Sequence, residues 1–117
     1  MAGDAVRPVF DLAAFTRQTG GDAHLRHEII QMFLEDCPAR VAAIRSAVEQ
    51  RDGLALAAAA HSLKGACGYL SAVAAREEAS LLEQIGRQSR MDEADAAFAR
   101  LDAAVDALIA ELRKQHL

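Results

Sequence analysis

From Leu25 to Leu112 apolar side chains recur at intervals of three and four residues, and no strand pattern competes with them. Residues three and four apart share one face of an α-helix, so this period predicts amphipathic helices. Leu25, Ile29, Phe33, Cys37, Val41, Ile44 and Val48 form the first long stripe, and Leu56, Ala60, Leu63, Cys67 and Leu70 the second. Ala74, Leu81, Leu82 and Ile85 supply a third. The fourth, Ala94, Phe98, Leu101, Val105, Leu108 and Leu112, is the most regular. Helices with one apolar stripe must bury it against each other. The expected fold is all-α: an antiparallel up-down four-helix bundle, with a short N-terminal helix packed over one end.

The punctuation between stripes fits that reading. Residues 1–9 read as a flexible leader ending about Pro8, and residues 10–117 as a single domain of ordinary size. Phe10, Leu12 and Phe15 suggest a short helix closed by Gly20-Gly21. Asp22, Asp52 and Ser71 are candidate N-caps, and Asp92 opens the last helix. Pro38 should kink the first long helix or split it near Asp36-Cys37, because it removes a backbone donor.

Composition narrows function mainly by exclusion. Alanine dominates the 117 residues, aromatics are 4 %, and tryptophan is absent, all of which favour helix. The net charge is −4 without a dense Lys/Arg cluster, so nucleic acid is not an expected partner. No run approaches ~18 apolar residues, and MAGDAVRPVF has no signal-like core, so membrane insertion is not expected. A cytoplasmic chain is the expectation, and a cytoplasmic module of a larger membrane-bound protein is equally allowed. Cys37 and Cys67 lack ligand spacing and read as small hydrophobes. His24 and His27 share a helical face without further ligands, so no metal site is expected. Ser62 and Ser71 lack a base and orienter, and no phosphate-binding glycine loop is present.

One stretch remains unexplained by folding. Ala57 to Ala72 reads AAAAHSLKGACGYLSA. Advancing ~100° per residue puts His61 about 140° from the centre of the Leu56–Leu70 stripe, on the outside face. Lys64, Gly65 and Gly68 share its side, and a glycine inside a helix costs about 1 kcal/mol relative to alanine. An imidazole with the ordinary pKa of ~6.5 is largely neutral at cytoplasmic pH. Its free lone pair makes it a nucleophile toward phosphorus held by another protein. Lys64 would offset charge on the phosphoryl oxygens, and the glycines would admit a close partner.

His61-Ser62-Leu63-Lys64-Gly65-Ala66 resembles the H-x-L-K-G-[SA] signature of histidine-containing phosphotransfer (HPt) domains of multistep two-component relays. Gly21-Asp22 with Leu25, Glu28, Ile29 and Phe33, Ala60, and Leu82-Glu83 are similar to the family as well, so the resemblance runs from about Phe10 to Leu112. It implies a phosphocarrier without ATP-binding or kinase activity of its own. His61 would accept a phosphoryl group from a phospho-aspartyl receiver domain of a hybrid sensor kinase and relay it to a response regulator receiver. Glu83 falls where the family often has Glu or Gln beside the active histidine, where it can orient the ring. Ala57, Ala58, Gly65, Gly68 and Tyr69 would form the docking and clearance surface. No cofactor is implied, the magnesium ion being expected in the receiver, and a monomer is the family expectation. Two alternatives stand beside it: a phosphate-accepting module of a chemotaxis-type kinase, and a helical adaptor that is never phosphorylated. Many members carry Asn-Leu-Gly-Ala after the motif where this chain has Tyr69-Leu70-Ser71-Ala72, which bears on the turn that follows.

Overall fold

The computed structural model describes residues 7–115, and they are helical with no strand among them. In order come α1 (Leu12–Gln18), α2 (Ala23–Glu49), α3 (Gly53–Tyr69), α4 (Val73–Arg87), a 3₁₀ turn (Met91–Glu93) and α5 (Ala94–Arg113). At 1.5 Å per residue the 27 residues of α2 span about 40 Å, which sets the 42 Å long dimension. α3 packs most extensively on α4, α2 on α3 and α4 on α5, and α2 also touches α5. Ile44, Leu56, Leu63, Leu82, Leu101 and Leu108 are fully buried between them.

Asp22 and Asp52 cap α2 and α3 as expected, accepting from the amides of Leu25 and Ala55. Ser71 does not cap α4. Ala72 holds the cap position without a side-chain bond, and Ser71 instead adopts a left-handed φ of +57°. There it closes α3: its amide bonds Gly68 O, and the Ala72 amide reaches back to Cys67 O. This is the paired-bond helix end for which glycine is the usual residue. Where the family pattern has glycine, this chain thus holds a serine in the left-handed backbone region that glycine favours. Arg51 (φ +54°) after α2 and Ser89 (φ +55°) after α4 repeat the arrangement, while Gly20 (φ +63°) follows α1.

Three further expectations are corrected. Of the kink or split expected at Pro38, the split does not occur: α2 runs continuously from Ala23 to Glu49. Pro38 lies on the exposed side, where a carbonyl deprived of its donor can be hydrated, while buried Cys37 and Val41 hold both halves on one core. At the start of α2, Leu25 is 39 % exposed and Ile29 half-buried, and Ile30 takes the core position, because only short α1 covers that end. The end of the supposed leader is tied down as well. Pro8 O accepts from the Ala74 amide, the Asp11 amide donates to Ser71 O, and Arg7 pairs with Glu78 at 2.8 Å. Residues 1–6 of that leader, and His116, lie outside the described residues.

Glycines fix how closely α3 meets α4. A Cβ on Gly86 would stand 2.6 Å from Gly53 O and 2.8 Å from Ala57 N, distances that real Cβ atoms do not tolerate. The backbones of the two helices therefore touch where α3 begins and α4 ends. Ala57 sits in that crossing and is buried.

Candidate functional site

The site stands one turn above the glycine crossing. His61 follows Ala57 by four residues on α3, and Glu83 precedes Gly86 by three on α4. Burial of Leu56, Ala60, Leu63 and Cys67 turns the His61 side chain outward, where it is 65 % exposed. Glu83 is the reverse, a charged side chain only 5 % exposed. A carboxylate so covered is expensive unless its oxygens are satisfied.

Here both oxygens are. His61 Nδ1 lies 3.0 Å from Glu83 Oε2, and Lys64 Nζ lies 2.6 Å from Oε1. Arg87, one turn further along α4, brings Nη2 to Oε2 at 2.5 Å. The Lys64 hydrogen bond, opposed by burial and aided by the His61 bond and the Arg87 charge, holds the Glu83 carboxyl below the usual glutamate range. An ionised carboxylate can only accept, so the Nδ1 position carries the ring proton. The unshared pair is then on Nε2. A fixed tautomer with one lone pair directed away from its anchor is the arrangement a nucleophilic imidazole needs.

The sequence-predicted residues divide by location. His61, Lys64 and Glu83 meet directly. Ala58 is exposed on the same helix, whereas Ala57, expected on the docking surface, is buried against Gly86. Nothing lies within 4 Å of a Cβ built on Gly65. A Cβ on Gly68 would meet only Arg76 Cδ, at 3.6 Å, so its near neighbour is that arginine. Tyr69 is 72 % exposed and, with Leu25, Ile29, Met32 and Ala66, lines an apolar groove of about 420 Å³ between α2 and α3. Sequence reasoning missed Arg87, although a Glu followed by Arg four residues later is a favoured helical pair. It also missed Arg40, whose Nε donates to Ser62 Oγ at 3.3 Å beside His61.

The cysteines take no part. Both are buried in the core, and burial pushes the Cys67 thiol up to about 12, so it holds almost no thiolate at neutral pH. Among the described residues no group of three or more His, Cys, Asp or Glu side chains is placed to hold a metal ion, and no helix is long and apolar enough to cross a membrane.

The crystal structure of histidine-containing phosphotransfer protein B (HptB) from Pseudomonas aeruginosa PAO1 superposes with a TM-score of 0.86 at 19 % identity, covering 94 % of this chain and 96 % of that one. At that identity the likeness is one of fold. Among curated proteins none matches. The profile of the Hpt domain matches residues 28–111, well over half of the chain, and includes His61, Lys64 and Glu83. The chain belongs to the Hpt-domain family.

Proposed function

We propose that His61 accepts a phosphoryl group from a phospho-aspartyl receiver domain and passes it to the receiver of a response regulator. Family membership supports histidine phosphotransfer in a phosphorelay, and the bond from His61 Nδ1 to Glu83 carries the finer reading. Attack by the Nε2 lone pair forms the N–P bond as the acyl P–O bond breaks, and the aspartate leaves as a carboxylate. The proton stays on Nδ1, so the ring becomes cationic beside ionised Glu83. The same contacts favour return of the group to a second aspartate, because the ring leaves as it arrived.

Lys64 and Arg87 rest on Glu83 before the reaction, one on each oxygen. Both are close enough to the imidazole to turn toward phosphoryl oxygens, where charge-assisted bonds are strong. The magnesium ion of the reaction belongs to the receiver's acidic site. Exposed Leu25, Met32 and Tyr69 beside the groove between α2 and α3 suit an apolar partner surface. In this reading α2 to α5 run alternately up and down, and the domain works as a monomeric carrier, in the cytoplasm, without turnover of its own.

The test is direct. His61→Gln should keep the helical content and melting temperature of the parent and take no label from a radiolabelled phospho-receiver. Acid-labile phosphate retained on that variant would place the nucleophile elsewhere.

A further inference from the structure

The two glycines on the His61 side of α3 remain costly, and the chain's own packing does not require either of them. A helix loses about 1 kcal/mol at each glycine relative to alanine. Yet a Cβ on Gly65 would touch nothing, and one on Gly68 would make only an ordinary contact with Arg76 Cδ. Alanine would fit at both positions, so packing within the domain does not demand glycine. What Gly68 does supply is a bare shelf on α3 over which the Arg76 stem, arriving from α4, can lie. A long side chain at position 68 would occupy the place of that stem.

Arg76 stands where two cavities adjoin. A trough of about 450 Å³ between α3 and α4 is lined by Lys64, Gly65, Gly68, Arg76, Glu77 and Ser80. A smaller one, about 200 Å³, continues past Arg76 toward Asp11 and the α3–α4 turn. Glu77, the acid that shares the larger trough, pairs with Arg7 instead. Arg76 has no salt-bridge partner among the described residues. The trough opens beside Lys64, itself in contact with the carboxylate that holds His61. A chain of net charge −4 thus sets Lys64 and Arg87 on the carboxylate that holds His61, with Arg76 further along the same trough as Lys64.

We infer that Arg76, laid across Gly68, is a partner-selecting residue that pairs with an exposed carboxylate on the rim of the receiver's phosphorylation site. This rests on the phosphotransfer reading above and deepens it. Gly68 then serves to place Arg76 and does not chiefly give clearance to the imidazole. Arg76 is a positioning residue for the encounter: it touches the partner and leaves the reacting atoms alone. A charge at the edge of an interface governs association rate and salt dependence more than chemistry.

Single-turnover transfer from receiver domains of the source organism, charged with radiolabelled acetyl phosphate, tests the assignment. Arg76→Ala should raise the half-saturating receiver concentration roughly two- to fivefold, the range of an exposed ion pair. The maximal rate should be unchanged, and the salt dependence shallower. Arg76→Glu should weaken docking about tenfold or more, and Arg76→Lys should recover most of it. Gly68→Gln should resemble Arg76→Ala, and adding it to Arg76→Ala should cost nothing further. A lower maximal rate at unchanged half-saturation in Arg76→Ala would overturn the assignment. So would an equal penalty from Gly68→Gln with and without Arg76. If wild type is labelled and Arg76→Ala matches it, only the role of Arg76 falls. If no charged receiver labels wild-type His61, the phosphotransfer reading falls with it.

Discussion

Glu83 does three things with two oxygens. It orients the imidazole, anchors Lys64 and holds Arg87, and the same contacts keep it ionised in a covered position. Replacing it with alanine removes a charge-assisted hydrogen bond from the ring and releases both cations. Such a bond is worth about 1.5–3 kcal/mol, so Glu83→Ala should slow phosphoryl transfer to His61 roughly 10- to 100-fold, measured in single-turnover labelling. Glu83→Gln keeps an acceptor for Nδ1 and loses the charge, so it should lie between that variant and the parent. The histidine, the lysine and the glutamate were all legible in the chain, the first two from helical spacing and the third through the family resemblance. Arg87 was not singled out: its spacing of four from Glu83 marks an ordinary helical ion pair, and only the placement of Glu83 under His61 gives that pair a part in the site. Ala57 failed for a related reason: the helical period marks Ala60 as buried, but Ala57 lies beside the stripe and is covered because the Gly86 backbone on the facing helix comes so close.

At the scale of helices, the turns show where local rules were read correctly and where they misled. Both aspartate caps behave as their positions imply. Ser71 also looked like a cap, but it lies in the left-handed region that ends the previous helix. A serine and a loop glycine satisfy the same hydrogen bonds there, and only the second is visible as a helix stop in a sequence. Ser89 closes α4 in the same way and is exposed, so Ser89→Gly should raise stability by about 0.5–1 kcal/mol, checked by denaturant midpoint. Gly86 lies at the other extreme. Its added methyl has no space against Gly53 O and Ala57 N, so Gly86→Ala should destabilise by about 1–3 kcal/mol in the same assay. It should also slow transfer, because the displaced α4 carries Glu83. Pro38 shows the limit of a breaker rule: core contacts on either side kept one helix where local geometry allowed two.

For the whole molecule, the apolar period sufficed to foresee an all-helical domain and most of its buried stripe. It erred where a neighbour is short or missing, as at Leu25 and Ile29, since periodicity says which face is apolar and not how far the cover extends. Stability toward acid belongs to this scale as well. Glu83 has a lowered pKa in the folded chain, so its contribution is fully present above the ordinary glutamate value of 4.5. It is lost as pH falls through the lower folded value. Thermal melts below pH 4.5 should therefore show a steeper loss of Tm for the parent than for Glu83→Gln, which has no such proton to take up. Meanwhile the gap between nucleophile and orienting carboxylate is gauged one turn away by glycine backbone against glycine backbone. Those parts have no rotamers to populate. Warming short of unfolding finds nothing there to loosen, so the spacing between the helices that carry His61 and Glu83 holds for as long as the two helices stay together.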